Sequence, residues 1–199
     1  FQDKFWMPAN DNTSSVEEYF GNQEYSRRIQ VKPGNRMPGV PLHNLNATLS
    51  YMVTPKWQIG LTAVAHSFAF VRGNENNKHR AGEVLYDSVV DDSGAIIQVV
   101  RQAANNPGTT PGYLVLNLQT SYQLNSEWTL GLRVNNLLDK EYFSAGRLGR
   151  NPFSPSVYGA IGPDGYNHNS NDWLMTNFLA PGAPRAAWIS LSYSFDPKK

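Results

Sequence analysis

The sequence predicts an all-β fold, namely an antiparallel β-barrel that spans a membrane. Three observations support this fold class. Apolar and polar residues alternate along five segments, these segments are longer than ordinary strands, and aromatic residues recur at one end of each segment. Alternation with a period of two gives each strand one apolar and one polar face. Only 17% of the 199 residues are charged, against roughly 25% in soluble globular domains.

The five predicted strands share an unusual length. They cover residues 43–53, 57–72, 113–124, 128–135 and 187–195. Strands of soluble proteins average about five or six residues. A strand of about ten residues rises about 33 Å, which at a tilt near 45° projects to roughly 23–25 Å, the height of the apolar band of an outer-membrane barrel. The apolar faces are therefore expected to contact lipid. This expectation concerns above all Leu49, Leu61, Leu116, Leu132 and Leu191.

The connections alternate between short and long. Two are three-residue turns, and the remaining ones are the long segments 1–41, 73–112 and 140–185. Membrane barrels have short turns on the periplasmic side and long loops outside. We therefore expect three regions: an extracellular loop region at 1–41, barrel strands with long loops at 42–195, and a polar tail at 196–199.

Aromatic residues mark the short-turn end of the strands. The pairs that flank the turns or end the last strand are Tyr51 with Trp57, Tyr122 with Trp128, and Tyr193 with Phe195. Amphipathic rings at one level are typical of a lipid–water boundary. The alternative is that these residues form the core of a soluble β-sandwich.

Composition excludes several classes of function. A net charge of +1 argues against a nucleic-acid partner, because phosphate binding needs a concentrated basic field. The absence of Cys excludes disulfides, thiolate metal sites and Cys nucleophiles. No catalytic or phosphate-loop motif occurs. We therefore predict no enzymatic activity, no cofactor and no metal site.

Four motifs carry a family resemblance. Gly131–Tyr142, with the sequence GLRVNNLLDKEY, resembles the penultimate-strand motif of TonB-dependent outer-membrane receptors. Asn35–His43 and Pro111–Tyr113 resemble segments that precede late barrel strands, and Pro181–Phe195 resembles the terminal strand with its final aromatic residue. The resemblance covers about residues 33–195. One departure is that four residues follow Phe195, whereas the terminal Phe of this family usually ends the chain.

The resemblance implies a receptor of the Gram-negative outer membrane. Such receptors have a barrel of about 22 strands closed by a plug, and they take up scarce nutrients such as ferric siderophores with energy from the TonB complex. This chain would supply the last five strands. The implied partners are the lipid bilayer, an extracellular small-molecule ligand, the remaining strands and plug from the same protein or a companion chain, and the TonB complex through an N-terminal part.

Two groups of residues are candidates for ligand binding. His66, Phe68, Phe70 and Arg72 lie on the polar register near the outer end of the second strand, where rings could stack and Arg72 could bind a carboxylate or phosphate. The alternative is packing beneath the loops. Tyr166, His168 and Trp173 belong to a loop rich in hydrogen-bonding groups, which suits a sugar or a polar chelate and equally suits a loop that bonds to itself.

Two other segments are predicted to be structural. Asn135–Asp139 follows the fourth strand, and its side chains are expected to bond nearby backbone groups at a bend rather than to contact ligand. Residues 84–90 and 95–100 are expected to form a hairpin in preference to a Ca²⁺ loop around Asp87, Asp91 and Asp92.

Two alternative functions remain at this point. A soluble β-sandwich could bind carbohydrate, with Tyr158, Tyr166 and Trp173 as the sugar platform. A passive porin or adhesin barrel is the other alternative.

Overall fold

The computed structural model describes residues 3–8, 18–19, 27–82, 85–90, 92–101, 104–156, 159–170 and 173–195. These residues form fourteen strands and no α-helix: β1 (Phe5–Pro8), β2 (Glu18–Tyr19), β3 (Arg27–Val31), β4 (Asn44–Thr54), β5 (Trp57–His66), β6 (Ala69–Phe70), β7 (Leu85–Val90), β8 (Ile96–Arg101), β9 (Thr109–Thr110), β10 (Tyr113–Gln123), β11 (Trp128–Asn135), β12 (Phe143–Asn151), β13 (Leu174–Pro181) and β14 (Ala186–Tyr193). In this part of the chain, no helix of bilayer-spanning length and apolar character is present. The tail 196–199 lies outside the described residues.

The chain divides into two compact units. The first, here called the loop unit, comprises Phe1–Val40, Ala69–Thr110 and Ala145–Ala180. The second, here called the sheet unit, comprises Pro41–Phe68, Pro111–Ser144 and Pro181–Lys199. The sheet unit therefore contains the five long strands, and the loop unit contains most of the long connections.

The sheet unit is one antiparallel sheet in the order β14-β11-β10-β5-β4. The five strands are those that the alternation predicts, and the all-β fold class is confirmed. In the described residues, β4 and β14 each pair along one edge only, so the sheet is open. The short turns after Thr54 and Gln123 lie at one end of the sheet, and the long connections leave the other end.

The apolar face of this sheet is not a dry core. Leu49 pairs with Leu61, which pairs in turn with Leu118, so leucines form a lateral row. Leu49 is 70% exposed and Leu191 is 58% exposed, and Leu61, Leu116 and Leu132 are half-buried. A β-sandwich would bury these side chains against a second sheet. The exposures contradict the sandwich and agree with an apolar face that contacts lipid.

The aromatic side chains at the short-turn end form a belt, defined as Tyr51, Trp57, Tyr122, Trp128, Tyr193 and Phe195. Trp57 is the register partner of Tyr122, and Trp128 is the partner of Tyr193. The rings of Trp128 and Tyr193 lie 4.8 Å apart between centroids. All six side chains are exposed. The register therefore places Trp57 level with Tyr122, and Trp128 level with Tyr193, at the short-turn end of the sheet.

The second strand ends earlier than predicted. β5 ends at His66, and at the next pair only half of the ladder remains: the Ser67 backbone N–H donates to His43 O at 3.0 Å, whereas the His43 N–H donates to Ser67 Oγ at 3.1 Å. Side-chain bonds of this kind compete with strand pairing. Phe68, Phe70 and Arg72 are therefore not on β5, and the prediction that they continue its register is wrong.

The Asn135–Asp139 segment is a hydrogen-bonded turn with a structural role, as the sequence predicts. Asn136 is buried and has a φ of 50°. Its amide nitrogen Nδ2 donates to Lys140 O at 2.9 Å and to Ala183 O at 3.1 Å, and its Oδ1 accepts from Lys140 N–H at 2.8 Å. Its backbone N–H donates to Asn117 Oδ1 at 2.9 Å. This residue therefore ties the end of β11 to β10 and to the segment before β14.

The loop unit contains strands of its own. β1, β3 and β2 form one sheet, and the hairpin β7–β8 is present as predicted. The pairs β6–β9 and β12–β13 were not predicted. β12 has the sequence FSAGRLGRN, which lacks apolar alternation, so its strand character comes from tertiary pairing. The buried apolar residues of this unit include Ile29, Val31, Val71, Leu148 and Met175.

Candidate functional site

Three of the predicted site residues lie together in the loop unit. The Tyr166 ring is central: its centroid lies 5.1 Å from that of His168 and 5.7 Å from that of Trp173. Phe153 joins them at 6.0 Å in an edge-on arrangement and is 67% exposed. These four residues are here called the aromatic cluster. Phe153 was not predicted, since its segment carries no local signal of a shared site.

The loop that holds this cluster is anchored by Asn167, which is fully buried. Its Oδ1 accepts Asn169 N–H at 3.0 Å, and its carbonyl accepts the Trp173 indole N–H at 2.7 Å. Backbone bonds from Gly162 N–H to Tyr166 O and from His168 N–H to Ala160 O close the loop at 3.0 and 2.9 Å. The rings are thus presented by a self-bonded turn, which was the structural alternative considered for this segment.

An acidic side chain, Asp164, contacts the aromatic cluster at its edge. His168 Nε2 lies 3.5 Å from Asp164 Oδ1, and both side chains are largely exposed. The Tyr166 backbone N–H donates to the same Asp164 Oδ1 at 3.0 Å. This amide bond, with a smaller contribution from His168, lowers the pKa of Asp164 below its ordinary value. The loop therefore offers the half-buried rings of Tyr166 and Trp173 beside an exposed carboxylate and an exposed imidazole.

Phe70 and Arg72 also belong to the loop unit. The Arg36 guanidinium lies 5.4 Å from the centre of the Phe70 ring, a cation–π distance. Arg72 is exposed and forms a parallel β-bridge with Arg147. Arg36 and Arg147 were not predicted as site residues, because their proximity to Phe70 and Arg72 depends on segments distant in sequence.

His66 and Phe68 lie in the sheet unit instead. The His66 ring is 4.9 Å from Tyr113, and Tyr113 is 4.5 Å from Tyr142, so three rings stack at the long-loop end of the sheet. Phe68 is 47% exposed. The structure therefore divides the predicted group of four between two units.

The polar face of the sheet contains a groove that was not predicted as a site. Its volume is about 600 Å³, and its lining includes Gln119, Arg133, Trp188 and Ser190. Arg133 lies between Gln119 and Trp188 in register, and its Nε donates to Asn135 Oδ1 at 3.1 Å. A second, smaller groove of about 110 Å³ has a lining that includes Thr48, Ser50 and Gln58. The polar face therefore has room for water or for another part of a protein.

Within the described ranges, no group of three or more His, Cys, Asp or Glu side chains is arranged to hold a metal ion. Tyr158, which belongs to the proposed sugar platform, lies outside the described residues, and so does Asp91.

Comparisons with known proteins give one family match. Residues 10–137 match the model of the family described as TonB dependent receptor-like, β-barrel. No curated protein sequence matches the chain.

Three solved structures match part of the chain. They are the siderophore receptor PiuA from Acinetobacter baumannii, the ferric-catecholate import receptor Fiu from E. coli K12 in its open form, and the ferripyoverdine receptor of the outer membrane of Pseudomonas aeruginosa. PiuA is 16% identical with a TM-score of 0.47, and the match covers 86% of this chain and 16% of PiuA. Fiu is 20% identical with a TM-score of 0.40, over 77% of this chain and 15% of Fiu. The ferripyoverdine receptor is 15% identical with a TM-score of 0.43, over 84% and 16%. The chain therefore spans about a sixth of the length of these receptors.

Proposed function

Because this chain belongs to the TonB dependent receptor-like β-barrel family, we propose that it is part of an outer-membrane active transporter that takes up a scarce nutrient such as a ferric siderophore. The transporter would lie in the outer membrane of a Gram-negative bacterium and would draw energy from the TonB complex. The remaining barrel strands, the plug and the TonB contact would come from other parts of the same protein or from a companion chain. We assign the chain no enzymatic role.

The observation that supports this proposal most strongly is the two-faced sheet. One face carries exposed leucines and the aromatic belt, and the other carries polar side chains and grooves. A barrel wall needs this combination, because its outside contacts hydrocarbon and its inside contacts water or a plug. Unpaired strand edges are costly in lipid, so β4 and β14 would pair with further strands in the complete barrel.

The ligand-binding residues would be His66, Phe68, Phe70, Arg72, Tyr166, His168 and Trp173. Among these, the aromatic cluster is best arranged for contact with a ligand, since its rings are held together and partly exposed beside the Asp164–His168 pair. Rings can stack on the planar parts of a chelate, and the carboxylate and imidazole can accept or donate hydrogen bonds. No observation favours the carbohydrate-binding sandwich, because the sheet lacks the buried core that such a fold requires.

Uptake in living cells tests the proposal. A strain that lacks the complete protein would be complemented with the wild type, with Phe153→Ala/Tyr166→Ala, or with Ile97→Ala as a matched control on the β7–β8 hairpin. Uptake of a panel of radiolabelled ferric siderophores would be measured under iron limitation, with and without an inhibitor of the inner-membrane proton gradient. We expect energy-dependent uptake by the wild type and the control, and reduced uptake by the double variant at equal surface levels. Wild-type cells that take up no chelate in the panel, or take it up equally without energy, would contradict the proposal.

A further inference from the structure

Two arginines of the loop unit are held side by side by backbone pairing. Arg72 N–H donates to Gly146 O at 3.1 Å, and Leu148 N–H donates to Arg72 O at 2.8 Å, which makes Arg72 and Arg147 partners in a parallel bridge. Paired residues project their side chains from the same face, and their strands lie about 4.8 Å apart. The Cβ atoms of Arg72 and Arg147 are therefore neighbours on one face of the bridge.

The face from which they project is the solvent side. Val71 is 1% exposed and Leu148 is 0% exposed, whereas Arg72 and Arg147 are both exposed. Gly146 allows the two segments to approach this closely, because a Cβ at that position would clash with Val71 Cγ1. The apolar contact on the inner side thus fixes the position of the two cations on the outer side.

The charge of this pair is not compensated within the described residues. Neither guanidinium lies within ion-pair distance of a carboxylate there. Glu75, the nearest acid along the chain from Arg72, accepts the Gly73 N–H at 2.9 Å. Like charges directly opposite each other on paired strands are destabilising. An anion bound between the two guanidinium groups would convert this repulsion into two attractive contacts.

We propose that Arg72 and Arg147 bind an oxyanion, a carboxylate or phosphate group, on the loop unit. Guanidinium groups match such groups in geometry and can donate two parallel hydrogen bonds each. Phe70 lies two residues before Arg72 in the same segment and is half-buried, and the Arg36 guanidinium lies over its ring. The site therefore suits an oxyanion attached to a planar or apolar group. As a statement about the transported nutrient, this inference rests on the proposed uptake function.

Binding of inorganic phosphate to the complete protein, purified in detergent, tests the site. Calorimetric titrations at low ionic strength would compare the wild type with Arg72→Gln, Arg147→Gln and the control Lys56→Gln, which removes an exposed cation from the short turn after β4 in the sheet unit. We expect each arginine variant to bind phosphate about tenfold more weakly, a loss of about 1.4 kcal/mol, because each variant loses charge-assisted hydrogen bonds to the anion. Lys56→Gln should bind like the wild type. Equal affinity in all four proteins, or an equal loss in Lys56→Gln, would overturn the proposal.

A thermal measurement distinguishes a binding site from a structural role. Without phosphate, Arg147→Gln should unfold at the same temperature as the wild type or higher, because it relieves repulsion. With phosphate, the wild type should gain a stabilising shift that Arg147→Gln lacks. A variant that unfolds at a lower temperature without phosphate and retains the full phosphate shift would show that Arg147 is structural and would overturn the proposal.

The source of the oxyanion is distinguished by a second titration, with micelles of short-chain phosphatidylglycerol and with phosphatidylcholine as the neutral control. Arginine-dependent binding of dissolved phosphate supports a soluble anionic ligand, and arginine-dependent binding of phosphatidylglycerol alone supports a lipid headgroup. Absence of arginine-dependent binding in both titrations overturns the site. Because no cells or energy source are involved, a transport failure with intact phosphate binding would count against the uptake proposal only.

Discussion

The indole Nε1 of Trp57 donates a hydrogen bond of 2.8 Å to Thr120 Oγ1 across the neighbouring strands β5 and β10. Thr120 is the polar exception on the apolar face of β10, and its hydroxyl also donates to Gln58 O at 2.9 Å. Both polar groups are thereby satisfied on a face that otherwise carries Leu and Tyr. The bond also fixes the orientation of one ring of the aromatic belt.

Replacement of Thr120 tests this link. Thr120→Val keeps the shape of the side chain and removes the acceptor for the indole, so we expect a loss of about 1 kcal/mol in the free energy of unfolding. Thr120→Ser retains the hydroxyl and should lose less. The measurement is urea unfolding of the protein folded into lipid vesicles. Equal stability of the Val and Ser variants would show that the bond contributes nothing.

Adjacent residues on β4 test which face contacts lipid. Leu49→Arg would place a charge on the apolar face in the middle of a strand, and we expect a cost of about 2–4 kcal/mol for folding into vesicles. Ser50→Arg, the matched control, lies on the polar face and should change the folding free energy little. If Ser50→Arg costs as much as Leu49→Arg, the assignment of the faces is wrong.

Substitution of Asn136 is predicted to destabilise the fold more than any other substitution in the turn that follows β11. Asn136→Gly removes the side-chain bonds to Lys140 and Ala183 but tolerates the positive φ, whereas Asn136→Ala also adds backbone strain. We expect a loss of about 3 kcal/mol for Gly, from several buried hydrogen bonds, and about 1 kcal/mol more for Ala. Thermal unfolding midpoints in detergent would check this order, and Leu138→Ala, at an exposed neighbouring position, is the control.

The Asp164 carboxyl should make the loop sensitive to acid. Its pKa is lowered in the folded protein, mainly by the Tyr166 N–H. Its contribution to stability is therefore present at neutral pH, and it is lost as pH falls below the ordinary carboxyl value of about 4 through the lowered folded pKa. We expect Asp164→Asn to remove this acid-dependent change in the thermal midpoint. His168→Gln should preserve most of it, because the amide bond remains; an equal effect of both variants would make the imidazole the main cause.

Local patterns were sufficient to predict the five strands and two of their pairings. The alternation in residues 43–53 and 113–124 fixes which side chains share a face, and the two short turns fix the pairs β4–β5 and β10–β11, because both features involve residues close in sequence. The pairs β5–β10 and β11–β14 join strands that are separated by long connections. Ser67 shows the limit of this approach. The alternation continues past His66, but β5 ends there, and the His43 N–H bonds to the Ser67 hydroxyl oxygen.

The candidate site was only partly predictable. Tyr166, His168 and Trp173 lie within eight residues of one another, so their common loop indicated a shared surface. Phe153 is thirteen residues before Tyr166, and its ring reaches the Tyr166 ring only because the intervening loop folds back. No pattern in the local sequence predicts the bridge between Arg72 and Arg147. The bridge depends on the burial of Val71 and Leu148 inside the loop unit.

The sequence by itself determined the strands, the two faces of the sheet and the aromatic belt, because period-two alternation and turn length act over a few residues. The tertiary structure decided which distant side chains meet: Asn136 with Ala183, Tyr166 with Phe153, and Arg72 with Arg147. The physical reason is that these contacts follow from the closing of long connections and from the burial of apolar residues beneath them. Neither process leaves a periodic pattern near the residues that it brings together.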